Sequence, residues 1–147
     1  MRITDEQIQQ VLVLHNLFLS GDDKGVKANL ESAELYGLNL ADANLKEANL
    51  KGASLKRAVL WDANLEGALM DGANFKHAIL QGSNMRNAQL NGAKMLGVNL
   101  ERADLRGASL LNADLQSAIL KNALFDKSTI WPEKFDPIAA GAICCGN

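Results

Sequence analysis

A large apolar side chain recurs at every fifth position from Leu30 to Ile130, with no insertion in the run. The 21 centres comprise 15 Leu together with Met70, Met85, Met95, Phe75, Phe125 and Ile130. Two positions before each centre stands a small residue, Ala in 17 of the 21 repeats and Leu38, Ser83, Val98 or Ser128 in the others. An α-helix repeats about every 3.6 residues and a strand about every two, so neither keeps a five-residue period on one face. A chain that turns a corner every five residues does. Each side is then a short extended segment whose residues i and i−2 both point inward. Four sides close a 20-residue coil, and coils stack about 4.8 Å apart through backbone hydrogen bonds. The 21 repeats make a little over five coils, a column of roughly 24 Å.

The glycines mark the corners. Eight of the 12 lie two residues after a centre, at Gly37, Gly52, Gly67, Gly72, Gly82, Gly92, Gly97 and Gly107, and Asn87, Asn112 and Asn122 share that slot. A type II turn needs positive φ at its third residue, which Gly accepts and Asn tolerates. Arg57, His77 and Arg102 occupy the same slot, and their bulk predicts a different turn type there. Leu38 and Val98, large where Ala is the rule, predict that their coils widen locally.

Internal repetition at a fixed period is the signature of a solenoid. The stretches Ala43-Asn44-Leu45, Ala48-Asn49-Leu50, Ala63-Asn64-Leu65, Ala103-Asp104-Leu105 and Ala113-Asp114-Leu115 resemble the pentapeptide-repeat family, whose consensus is Ala-(Asp/Asn)-Leu-x-x. The resemblance covers about residues 26–130, and the tail Trp131-Pro132-Glu133-Lys134-Phe135-Asp136-Pro137 looks like the terminal segments of cyanobacterial members. The resemblance implies an all-β solenoid, a right-handed quadrilateral β-helix of about five coils. Handedness and squareness come from that resemblance alone.

Solenoid ends expose sheet edges that invite aggregation unless covered. Residues 4–19 read as an amphipathic α-helical cap at the N-terminal end. Thr4 and Gln7 have capping-box spacing, and Asp5 and Glu6 suit a helix N-terminus. The predicted apolar stripe is Ile8, Val11, Leu12, Leu14, Phe18 and Leu19, with Val13 and Leu17 pointing away. His15 falls inside the stripe and reads as a buried, hydrogen-bonded structural residue. The chain thus divides into 1–25 (capping helix and linker), 26–130 (repeat column) and 131–147 (C-terminal cap and tail). Trp131 and Phe135 are placed to close the last coil, and residues 138–147 are expected to be mobile.

No catalytic constellation is visible. His15 and His77 are the only histidines, and no phosphate loop, nucleophile elbow or metal-ligand spacing occurs. The sequence therefore predicts neither enzyme activity nor a cofactor or metal. Cys144 and Cys145 are the only cysteines, which excludes a disulfide framework and fits a cytoplasmic protein. No segment reaches the roughly 18 apolar residues needed to span a membrane.

Function is then expected on the outer faces. Leu45, Leu50, Leu65, Phe75, Leu80, Leu100 and Leu105 belong to the core, while Asn44, Asn64 and Asn84 form an outer amide ladder continued by Asp104. Two departures from uniformity stand out. One is a basic face with Lys56, Arg57 and Lys76, near His77 and Lys94. The other is an apolar face with Val59, Trp61 and Ile79. Together they suggest a non-catalytic scaffold binding a protein partner. The resemblance supplies an alternative, a DNA mimic that modulates a type II topoisomerase such as gyrase. Residues 28–130 carry 11 acidic and 11 basic side chains, so the column is formally neutral and disfavours mimicry of phosphate charge. Direct nucleic-acid binding is weaker still, because no aromatic residues interleave with the basic face. The expected state is a monomer, or a weak dimer through Val13 and Leu17.

Overall fold

The computed structural model describes residues 2–146. Parallel bridges join residue n to residue n+20 at sixteen places, from Asn29↔Asn49 to Asp104↔Leu124. The centres therefore stack in four columns, one for each side of the coil. The ladder runs both ways along the stack: Leu80 N–H donates to Asn99 O (2.7 Å) in the next coil, and Ile79 N–H donates to Ala58 O (3.0 Å) in the previous one. Outward mid-side residues define the sides. Side 2 carries Glu34, Ser54, Asn74, Lys94 and Asp114, side 3 carries Asn39, Val59, Ile79, Asn99 and Ile119, and side 4 carries Asn44, Asn64, Asn84, Asp104 and Leu124. Side 1 runs from Asn29 to Ser109.

Centres and their Ala partners fill the inside. Leu45, Leu50, Leu65, Phe75, Leu80, Leu100 and Leu105 are wholly buried, as are Ala48, Ala53 and Ala58 between them. Large and small residues alternate on each side because each coil already holds four large buried centres, and four more in the Ala positions would overfill the square. Ala78→Leu is accordingly expected to destabilise the column by about 1–3 kcal/mol through overpacking. Chemical denaturation checks this, and an unchanged midpoint would show slack beside Leu80.

Every third turn residue from Ser32 to Asn122, in steps of five, has positive φ. Arg57, His77 and Arg102 have φ of 57°, 58° and 58°, against 65–70° for nearby Gly67, Gly72 and Gly82. The expected different turn type is therefore absent. The slot's side chain lies outside the core over the same slot of the next coil, as His77 does over the bare Cα of Gly97; the strain is the local left-handed backbone, on the order of 1 kcal/mol, and the ladder on either side holds it. The corner bond at Val98 matches its neighbours at 3.1 Å (Val98 N–H to Met95 O), whereas that at Leu38 is the longest of the series at 3.3 Å (Leu38 N–H to Leu35 O).

The five-residue phase fails at its last step. Ile130 bridges Ser109, 21 residues away instead of 20, and is 50% exposed. Thr129 is buried in the place expected for Ser128, and its hydroxyl donates to Leu105 O (2.9 Å). One extra residue in Asp126–Thr129 has turned Ile130 outward and Trp131 inward. The Asp126 carboxylate fixes this loop by accepting from Ser128 N–H (2.9 Å) and Gly107 N–H (3.2 Å). Trp131 then packs edge-on to Phe125 (5.5 Å) and stacks on Phe135 (5.2 Å). The expected mobile tail is corrected as well: strand β2, Ile143–Cys144, pairs in parallel with β1, Leu124–Phe125, and extends side 4 by one step. Cys144 and Cys145 are free thiols.

At the other end lies α1, Asp5–Leu19. Thr4 caps it reciprocally, with Gln7 N–H donating to Thr4 Oγ1 (3.2 Å) and Thr4 N–H to Gln7 Oε1 (2.9 Å). Ile8, Leu12 and His15 are its buried residues. The stripe is narrower than its apolar residues imply, since Leu14 and Phe18 are each 39% exposed. Leu14 instead flanks the chain entering the first coil, its carbonyl accepting from Val26 N–H (2.9 Å), and Phe18 stacks on His15 (6.1 Å). Val13 is exposed and Leu17 half-buried.

Candidate partner-binding face

Corner residues belong to two sides at once. Lys56 and Arg57 follow the side 2 centre Leu55, yet the turn they form opens side 3, whose next outward residue is Val59. Trp61 stands at the far corner of that side. One coil further on, Lys76 and His77 open the side, Ile79 stands at its middle directly beside Val59, and Gln81 follows at the corner. The two groups that sequence reading kept apart are thus one surface: Val59, Ile79 and Trp61 in the middle and along one edge, Lys56, Arg57 and Lys76 along the other. Trp61 is 52% exposed and Ile79 36%, while Val59, Lys56 and Lys76 are half-buried and Arg57 is exposed.

The structure adds Leu96. It stacks 20 residues after Lys76 in the same corner column and is half-buried. Counting in steps of 20 reveals it, whereas scanning for neighbouring apolar residues does not. Gly97 beside it is needed for a different reason, because a Cβ there would sit 2.5 Å from His77 Nδ1. The missing side chain lets the imidazole lie along the edge.

Among the described residues only two ion pairs form, Lys46–Glu66 (3.9 Å) and Asp104–Arg106. Neither touches side 3, so its cations have no carboxylate partner. Asp104 and Arg106 lie on side 4 and its following corner. Burial raises the Asp104 carboxyl pKa, but the Arg106 hydrogen bonds and charge outweigh it and leave the net value lowered. The Asn column on side 4 is only partly a ladder. Asn84 donates to Asn64 Oδ1 (3.3 Å), while the Oδ1 atoms of Asn44, Asn64 and Asn84 each accept the N–H two residues on, at 3.1–3.3 Å. The amides serve their own corners first.

His15 lies far from side 3, between α1 and the first coil. It is fully buried. Ala28 N–H donates to its Nδ1 (3.0 Å), so Nε2 carries the proton and donates to Lys46 O (2.9 Å). Burial lowers the imidazole pKa. The Lys46 carbonyl and Glu47 oppose that shift and Lys27 adds to it. Among the described residues no three His, Cys, Asp or Glu side chains are grouped to hold a metal ion, and no helix is long and apolar enough to cross a membrane.

The pentapeptide-repeat family model matches the chain in overlapping segments spanning residues 26–130. The chain belongs to the pentapeptide-repeat family. The column is similar to HetL, a pentapeptide-repeat protein involved in heterocyst differentiation regulation from the cyanobacterium Nostoc sp. strain PCC 7120. Identity is 30% over 86% of this chain and 53% of HetL, with a TM-score of 0.50. This pentapeptide-repeat chain therefore spans about half the length of HetL. It is 31% identical to alr5209, a pentapeptide-repeat protein of Nostoc PCC 7120, over 90% of this chain and 93% of that one, with a TM-score of 0.32. QnrB1, a plasmid-mediated fluoroquinolone resistance protein, is 18% identical over 82% of this chain and 64% of that one, with a TM-score of 0.46. No curated protein sequence matches the chain. The right-handed β-helix is the fold of these repeat proteins, and the 20-residue stacking of this chain agrees with it.

Proposed function

We propose that this pentapeptide-repeat column is a non-catalytic scaffold that binds a protein partner through side 3. It consists of about five coils, with α1 acting as the cap of its N-terminal end. The observation that carries the reading is the union of exposed Trp61 and Ile79 with Val59, Lys56, Arg57 and Lys76 on one side of two adjacent coils. A flat, rigid β-surface offers an apolar centre that excludes water and a charged edge that selects orientation. The centres and their Ala partners are buried among the described residues, and a regulatory role is in keeping with HetL, described as involved in heterocyst differentiation regulation.

Trp61→Ala combined with Ile79→Asn is expected to abolish recovery of the partner in cross-linking and pull-down comparisons with wild type. Both side chains point outward, so the thermal midpoint should barely move. Retention of every partner by the double variant would exclude side 3. The topoisomerase alternative lacks the negative surface that DNA mimicry needs, because acidic and basic residues balance over 28–130. Gyrase supercoiling should therefore be neither inhibited nor protected from a quinolone by micromolar protein.

A further inference from the structure

We infer that the occupant of side 3 is an amphipathic α-helix, acidic along one flank and lying parallel to the column axis; this rests on the reading of side 3 as the partner-binding face. The geometry of stacking selects the helix. Each coil presents one mid-side residue, Val59 then Ile79 then Asn99, at a step of about 4.8 Å. A helix laid along the column presents one residue per turn at about 5.4 Å. It drifts by about 0.6 Å per coil, or about 1.2 Å over two steps, well within side-chain adjustment. A strand laid the same way places same-face residues about 6.6 Å apart and is about 3.6 Å out after two steps. Width agrees as well. Three extended residues between corners span about 10 Å, close to the diameter of one helix with its side chains.

Charge sets which flank is acidic. The edge opening side 3 carries Lys56, Arg57 and Lys76, none of them in an ion pair. The far edge carries Trp61 and Asp62, then Gln81, then Glu101 and Arg102, with no net positive charge. A helix with an apolar stripe over Val59 and Ile79, ending in a polar residue over Asn99, would thus place Asp or Glu over Lys56 and Lys76, with an apolar or neutral flank against Trp61. About three turns, roughly 11 residues, cover the three coils that hold these groups.

Photo-cross-linking tests this on the full chain. A benzoylphenylalanine probe replaces Gln81 on side 3 in one variant and Gln89 on side 1 in another. Each is irradiated in an extract of the cells that make the protein, and the cross-linked segment is sequenced. The expected adduct is specific to the Gln81 probe and maps to an amphipathic, net-acidic segment. A synthetic peptide of that segment should bind wild type, and should weaken at least tenfold both with Lys56→Glu plus Lys76→Glu and when its central residue is replaced by proline. A basic or extended segment, or a peptide indifferent to proline and to the charge reversal, overturns the helix while leaving side 3 as the protein-partner face, and a nucleic-acid adduct overturns both. No adduct from the Gln81 probe beyond that from Gln89 overturns both.

Discussion

Phe75→Ala should lower the unfolding free energy by about 3–5 kcal/mol. Phe75 is wholly buried and near mid-column, with Leu55 and Met95 above and below it in the same stack. The cost of such a truncation depends on how far the surroundings collapse into the cavity. Here they are held apart by the ladder. Leu55 N–H donates to Asn74 O and Phe75 N–H to Lys94 O, both at 2.7 Å, which fixes the coil spacing whatever fills the interior. Leu80→Ala, one side further on, is expected to cost about 2–5 kcal/mol for the same reason. Urea denaturation monitored by circular dichroism measures both. Because each coil touches only its neighbours, a mid-column cavity should also split one transition into two, with the halves melting separately. A loss below about 1 kcal/mol for Phe75→Ala would mean that the square is soft enough to close.

His15→Phe keeps the ring and loses both of its hydrogen bonds. It leaves Ala28 N–H and Lys46 C=O without the partners they have now, at 3.0 and 2.9 Å. Each orphaned group costs about 1–3 kcal/mol, so a total of about 2–6 kcal/mol is expected, with α1 detaching from the first coil. Amide exchange of α1 reads the detachment directly. The wild type should show a pH dependence that the variant lacks. The folded pKa of His15 is lowered, so its neutral form is favoured by folding. That contribution is complete above the unfolded value of about 6.5 and is lost as pH falls from there through the lowered folded pKa. Protonation of Nδ1 would set an N–H against Ala28 N–H. A denaturation midpoint that is flat from pH 7 to pH 5 in wild type would contradict this.

The sequence made the column legible because its period has one geometric solution. Centres and Ala partners lie where spacing put them, since no other placement buries 20 large side chains in phase. Ile130 was misread because an apolar residue fits the phase whether or not the backbone keeps it. The slip lies in Asp126–Thr129, where the carboxylate's local hydrogen bonds decide the loop and no hydrophobic pattern records it. Leu14 and Phe18 were misread for a related reason. A helix wheel shows what is apolar, while the chain packed against the helix decides what is covered. On the candidate face, the six residues were all visible in the sequence, but their union was hidden. A basic face separate from the apolar one ignores that a corner faces both ways. Leu96 was missed because it lies 20 residues from its neighbour in space.

Stacking at n+20 gives insertions and deletions an unusual meaning in this chain. Loss of one pentapeptide between Trp61 and Lys76 would leave every centre inside and every turn intact. It would nevertheless rotate all that follows by a quarter of a revolution, carrying Ile79 from beside Val59 to the side that now holds Ser54 and Asn74. The surface of such a protein is a combination lock: five-residue edits preserve the barrel and scramble the alignment, and only twenty-residue edits keep both. Selection on a side-spanning surface therefore constrains length in units of a whole coil.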